Sequence, residues 1–163
     1  MSARETMRKR KKRQAWGAGD VFVVEQRDGL CSLGQVIELL MPNVASCAFY
    51  DIRVKCDKSA GPFDLPMKHL IATLSVTREQ LDFGEWKVVG HEPVTLDREL
   101  WPNDKFRTNR WIGSTMYDAS IAEKLLDAYN ALMPWDDWGD PAFLDKLLAS
   151  PERRPMNVLY KKK

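Results

Sequence analysis

Short runs of β-branched, aromatic and aliphatic residues, broken by turn residues, dominate the first half of the chain. They are Asp20-Val21-Phe22-Val23-Val24-Glu25, then Leu30 to Glu38, then Ala45 to Ile52. Runs of this length and composition predict strands. Gly19-Asp20 introduces the first run and Asp28-Gly29 separates the first from the second. Because glycine tolerates the positive φ that a tight primed turn demands, these two runs are expected to pair as an antiparallel hairpin. Gly34 stands inside the second run where a side chain is expected, which predicts a bulge or a sharp bend. After a breaker-dense stretch ending at Gly61-Pro62, Leu70 to Val76 reads as a fourth strand and Glu85 to Val89 as a fifth. Between them, Thr77-Arg78-Glu79-Gln80 has capping-box spacing and predicts a short helical turn.

The last third changes period. From Asp118 to Leu132, the residues Ile121, Leu125, Ala128, Tyr129 and Leu132 recur at intervals of three and four and make one apolar stripe of a helix. Ser114 or Asp118 can cap its start, and Pro134 lies just past its end. A second, shorter helix is signalled by Asp140 as N-cap with Pro141 at the first helical position, burying Phe143, Leu144, Leu147 and Leu148 and stopping at Ser150-Pro151. Val94 to Ile112 follows neither period. Its Leu100-Trp101-Pro102 and Arg110-Trp111-Ile112 segments are expected to tuck their aromatic rings against the sheet. The pattern predicts an α+β fold: a strongly bent antiparallel SH3-like sheet or half-barrel of about five strands with C-terminal helices. Residues 16–150 are expected to form one domain, β-rich over 16–97 and mainly helical over 98–150.

Charge divides the chain differently. Residues 1–15 hold seven basic groups against one acidic, and 151–163 hold five against one, so residues 16–150 carry a net charge of −8. The N-terminal block is expected to be a disordered basic tail and 151–163 a basic C-terminal tail. A basic tail can neutralise phosphates, but an acidic body argues against the barrel itself as a nucleic-acid surface. No apolar run approaches the roughly 20 residues of a membrane span, and no signal-peptide core is present. Cys31, Cys47 and Cys56 are an odd set without Cys-x-x-Cys spacing, so the expectation is a cytoplasmic protein in which Cys31 and Cys47 are small buried hydrophobes.

Candidate chemistry is sparse. The chain has two histidines, His69 and His91. A dinuclear hydrolase needs several imidazole and carboxylate ligands, so neither a metal nor a cofactor is implied. His91 is expected to cap a strand end or face solvent. Asp20, Asp28 and Asp57 have local explanations in a strand entry, a hairpin and a loop. Asp51, beside Tyr50 on a strand expected to be central, needs a partner such as Arg53 or else faces an interaction surface. Pro134-Trp135-Asp136-Asp137-Trp138-Gly139-Asp140 alternates tryptophan with carboxylates. Trp135 and Trp138 can pin this loop to the body while Asp140 caps the next helix. The same aromatics ringed by negative charge also suit a hot spot for a basic partner.

Gly19-Asp20-Val21-Phe22, Gly34-Gln35-Val36, Tyr50-Asp51 and Gly84 to Val94 together resemble the bacterial immunity protein 26 family. That family carries a Gly-Asp-Val-Phe start, a Gly-x-Val strand, an aromatic-Asp strand and a later Trp-x-x-x-Gly-x-x-Pro strand. The resemblance covers about half of the chain. It implies a non-catalytic protein that binds and neutralises a cognate toxin domain, such as a nuclease, whose basic cleft would be drawn to Trp135, Asp136, Asp137, Trp138 and Asp140, and to Tyr50 and Asp51. Names of this kind are also attached to a HocA-type phosphotriesterase, so a small hydrolase is one alternative. An SH3-like nucleic-acid-binding module using its basic tails is the other.

Overall fold

The computed structural model describes residues 12–58 and 61–161. Five strands form one antiparallel sheet in the order β4-β3-β2-β1-β5. They are β1 (Asp20–Glu25), β2 (Leu30–Met41), β3 (Val44–Lys55), β4 (Leu70–Thr77) and β5 (Lys87–His91). Three helices accompany the sheet: α1 (Glu79–Asp82), α2 (Ala119–Tyr129) and α3 (Phe143–Leu147). The chain is therefore α+β. No helix among the described residues is long and apolar enough to cross a membrane.

The first hairpin turns through Arg27, Asp28 and Gly29, and of these only Gly29 has a positive φ, 86°. Its N–H donates to the Gln26 carbonyl at 2.9 Å, while the Gln26 N–H donates to the Leu30 carbonyl at 2.8 Å. This is a three-residue loop ending in a left-handed glycine, not the primed turn that Asp28-Gly29 predicts. Asp28 explains the difference, because its carboxylate accepts the Leu30 N–H at 3.2 Å and also pairs with Arg53.

Gly34 lies opposite Phe22 in the β1–β2 register, and the β2–β3 register shifts beside it. A Cβ at position 34 would sit 2.5 Å from the Phe22 ring. The missing side chain is the space in which that ring lies across β2. Phe22 then stacks on Trp86, with centroids 5.1 Å apart and planes 2° from parallel. Phe49 meets Phe22 at 6.0 Å and Trp86 at 5.6 Å, both edge-on. Ala122, Leu125 and Leu126 of α2, with Trp135, Leu144 and Leu147, complete this core. The reverse face of the sheet buries Val21, Val23, Leu33 and Phe63, and beside them Ile37, Ala48, Tyr50 and Leu70. Covering both faces explains why the strands read as nearly continuous apolar runs instead of strict alternations.

Several local expectations change. The capping box at Thr77 does not form, and Arg78 holds the N-cap position of α1 without a side-chain bond. The Thr77 hydroxyl is engaged elsewhere, accepting the Ala119 N–H at 2.9 Å and donating to Glu79 at 2.7 Å. It thereby ties the end of β4 to the start of α2. There Asp118, not Ser114, is the cap, accepting the Ser120 N–H at 2.9 Å. Asp140 sits before α3 instead of capping it. Ala142 holds the N-cap position, and its N–H donates to the Asp140 carboxylate at 3.0 Å.

Cys31 is buried as expected, but it is bonded to Cys56 rather than being a free hydrophobe. Cys31 pairs with Val54 across the β2–β3 ladder, which brings position 56 alongside it. Disulfides belong to oxidising surroundings, so the cysteines lend no support to a reducing compartment. Cys47 is free and fully buried, and burial pushes its thiol far above the ordinary range, leaving it unreactive.

Most of the N-terminal basic block, residues 1–11, lies outside the described residues. The packed body begins before residue 16. Gln14 donates to the Leu81 and Trp86 carbonyls at 2.8 and 2.9 Å and accepts the Val88 N–H at 2.9 Å. The C-terminal segment is not a free tail either, since Val158 belongs to the main core.

Candidate interaction surfaces

The loop that alternates tryptophan with carboxylates joins α2 to α3 and buries one of its two tryptophans. Trp135 is 1% exposed, and its Nε1 donates to Asp145 at 3.2 Å. It is a core residue, not a contact anchor. Trp138 is half-buried, with its ring 4.8 Å from that of Phe143 and Lys124 lying over it at 5.6 Å. Its buried Nε1 has no acceptor among the described residues.

The carboxylates of this loop already have partners from the same chain. Leu159 runs parallel beside Pro134 and accepts the Trp135 N–H at 2.7 Å. The next residues bring Lys161, whose N–H donates to Asp136 at 2.7 Å and whose Nζ lies 3.2 Å from Asp137. Asp140 pairs with Lys146. The C-terminal strand thus occupies the position a basic partner was expected to take.

Tyr50 and Asp51 do not combine into a surface, because neighbouring strand residues face opposite sides of the sheet. Tyr50 is 2% exposed, and burial pushes its phenol up to about 12. Arg53 does not serve Asp51. It binds Gln26 at 3.0 Å and pairs with Asp28, while Asp51 lies close enough to the Tyr129 phenol for its charge to act on it. Burial, followed by the charge of Asp51, holds the Tyr129 phenol above its usual range.

The histidines take simple roles. His91 is an exposed strand-end residue whose Nδ1 lies 3.0 Å from Asp20. Asp20 in turn accepts the Gly17 N–H at 2.8 Å, as a strand-entry turn requires. No group of three or more His, Cys, Asp or Glu side chains among the described residues is arranged to hold a metal ion.

The longest connection of the fold, residues 92–118 between β5 and α2, is where half-buried aromatic rings and cationic groups collect. It contains two 3-10 turns, Arg98–Leu100 and Asp104–Asn109. Connections this long without regular structure are uncommon in compact domains and are often functional. Three rings each carry a cation: Arg98 over Trp101 at 4.1 Å, Lys105 over Phe106 at 5.1 Å and Arg107 over Trp111 at 4.6 Å. Arg110 and Trp111 are consecutive non-glycine residues with positive φ, 54° and 66°. That conformation costs on the order of 1–3 kcal/mol per residue and persists only where the surroundings enforce it.

The enforcing contacts are specific. Trp111 N–H donates to the Phe106 carbonyl at 2.9 Å, and its own carbonyl accepts the Ser114 N–H at 3.1 Å. Arg107 reaches Glu38 of β2 at 2.6 Å and Asp104 at 2.9 Å. The bond to Glu38 raises the Arg107 pKa further. Asn103, itself left-handed, donates to the Ser75 hydroxyl of β4 at 2.8 Å and exchanges two bonds of 2.9 Å with Thr115. The connection is therefore clamped to both β2 and β4. It bounds two clefts, of about 320 and 620 Å³, which share Trp101, Asn103 and Thr115. Ile112 is 65% exposed and Met116 40%, with Leu39 of β2 at 50%.

A third cleft, of about 440 Å³, gathers Glu25, Glu85, Glu123 and Asp127 with Arg27 and Lys124. Burial raises the Glu123 carboxyl above its ordinary range, although Trp86 Nε1 at 3.3 Å and Gln80 at 3.0 Å donate to it. Burial also raises Asp127, against the opposing pull of Arg27. A raised carboxyl binds more protons in the folded than in the unfolded chain, so its share of stability falls as pH rises through the window between the two values. Glu123→Gln is accordingly expected to raise the melting temperature at pH 7. The advantage should vanish below about pH 4, where the unfolded carboxyl is also protonated. Thermal unfolding of both proteins across pH 3.5–7.5 checks this, and an advantage that does not shrink on acidification would contradict it.

Comparisons with protein-family models, with curated proteins and with solved structures find no match to this chain. The 92–118 surface was missed as a site in the sequence, where its aromatics were expected to pack against the sheet. Its signal was present as a long aperiodic stretch in which Trp101, Phe106 and Trp111 each lie within four residues of the arginine or lysine that covers them.

Proposed function

We propose that this protein is a non-catalytic binder of another protein and that it acts as an immunity protein, neutralising a toxin domain by covering its working surface. One observation carries the reading: the clamped, strained 92–118 connection exposes Arg110, Ile112 and Met116 beside a half-buried Trp111. Tryptophan, arginine and methionine are the residue types enriched at protein contacts, and prior immobilisation lowers the entropy cost of binding. The family resemblance supplies the class of partner. In this reading the curled sheet is an SH3-like half-barrel. The register shifts beside Gly34, Val36 and Leu39 on β2 supply the bending such a shape needs.

The acidic body remains a means of attracting a basic toxin from a distance, through clefts such as that of Glu25 and Glu123. The Asp136–Asp137 loop is a weaker contact in this reading, because Lys161 occupies it. The test is co-expression of the full chain with the C-terminal domain of the protein encoded by the adjacent reading frame. Rescue of bacterial growth together with a co-eluting complex on gel filtration is expected. Undiminished toxicity without a complex would overturn the proposal.

A further inference from the structure

The outer edge of β4 is covered at both ends and open in the middle. At one end Tyr117 pairs parallel with Val76, its N–H donating to the Ser75 carbonyl at 2.9 Å and its carbonyl accepting the Thr77 N–H at 3.0 Å. At the other end the Ala149 N–H donates to the Ile71 carbonyl at 2.8 Å. Backbone groups of alternate residues face the same side of a strand. Ile71, Ser75 and Thr77 face outward, so Thr73 does too. Its N–H and C=O, with the Ser75 N–H, have no backbone partner among the described residues.

Thr73 and Ser75 line a cleft of about 320 Å³, with Ser75 1% exposed at its floor. Its walls are the Leu100–Asn103 segment, Thr115 and Tyr117 on one side and Leu147–Ala149 on the other, with Glu99 and Lys146 at the rim. The Thr73 hydroxyl donates to the Leu100 carbonyl at 2.6 Å, which holds that wall in place without engaging the Thr73 main chain.

We infer that this gap is a slot for a short extended peptide segment of the bound protein, which adds to β4 through main-chain hydrogen bonds. The inference rests on the protein-binding reading and names how part of the partner is held. Three observations point to an extended backbone as occupant. Two donors and an acceptor stand at strand spacing, as an added strand requires. The chain's own Tyr117 and Ala149 segments already bond to the same edge in that way. Finally, the levels of Ala72 and Val76 are four residues apart, roughly 13 Å at strand rise, which leaves room for about two or three extended residues. Because the slot reads main chain, it tolerates many side chains. The neighbouring Trp101 and Asn103, shared with the larger cleft, are left to select among them.

Amide chemical-shift mapping of the full chain, titrated with an equimolar mixture of acetylated and amidated tripeptides, tests the slot. Saturable shifts centred on the Thr73 and Ser75 amides are expected at millimolar peptide. Shifts elsewhere, or none, would overturn the inference. Thr73→Pro removes the outward N–H without touching the ladder to β3, and edge strands tolerate proline. It should weaken the response at least tenfold relative to Thr73→Val, which loses the same hydroxyl bond to Leu100 but keeps the N–H. Equal responses in the two variants would also count against the slot. Failure here with a toxin complex still forming would leave the protein-binding reading intact. Loss of the toxin complex alone would overturn that reading and not the slot.

Discussion

Replacing Trp86 with alanine is expected to lower the unfolding free energy by roughly 3–5 kcal/mol, the range for truncating a large aromatic in a close-packed core. Trp86 is fully buried and joins three parts of the molecule. Its face carries Phe22, its edge meets Phe49 and its Nε1 reaches Glu123 on α2. Truncation leaves a cavity between sheet and helix that none of these groups can fill, because Phe22 is already fixed in the space above Gly34. It also leaves a half-buried carboxylate short of a donor. Trp86→Phe keeps one ring for the stack while losing the indole N–H and part of the buried volume, so it should cost less than Trp86→Ala. Urea denaturation of the three proteins provides the comparison, and equal losses for Ala and Phe would refute the central role given to the stacked rings.

The second large effect concerns binding. If the protein acts as proposed, Trp111→Ala is expected to weaken its complex with the toxin partner by about 30-fold or more, corresponding to about 2 kcal/mol. Unfolding free energy should change by much less, because Trp111 lies on the clamped connection and outside the buried core clusters. Tyr160→Ala is the matched control, an aromatic 56% exposed on the C-terminal strand. Charge reversal at Asp136 and Asp137 separates the two candidate surfaces. Where these carboxylates hold Lys161, as found here, reversal detaches the C-terminal strand and lowers stability. If they instead met the toxin, it would slow association in a salt-sensitive way. Titration calorimetry with stopped-flow association rates reads both quantities, and a Trp111→Ala protein that binds with unchanged affinity would remove the proposed contact.

What the sequence reveals here is mostly local. All five strands, the apolar stripe of α2 and the function of Gly34 follow from period, turn residues and a missing side chain, because each depends on neighbours a few positions away. The errors share a cause, which is competition from a distant partner. Thr77 has the spacing of a cap, but its hydroxyl accepts the Ala119 N–H, 42 positions away. Asp51 and Arg53 look like a pair, but β1 and its hairpin bring Gln26 and Asp28 to the arginine first. Trp135 and its carboxylates look like an exposed hot spot until Leu159 and Lys161 close over them. The 92–118 surface lacks period altogether. Its order comes from Glu38 and Ser75 on two different strands, which no local rule can locate.

The Cys31–Cys56 bond closes a loop across 25 positions, which in the chain-entropy account is worth about 3 kcal/mol. Domains of this size are marginally stable, with roughly 5–15 kcal/mol in all. The same polypeptide therefore has two durabilities. Where glutathione keeps thiols reduced it forgoes that share and opens more often at the end of the β2–β3 ladder, and on export or oxidation it recovers it. How long the protein lasts becomes a property of the place it occupies as well as of its sequence.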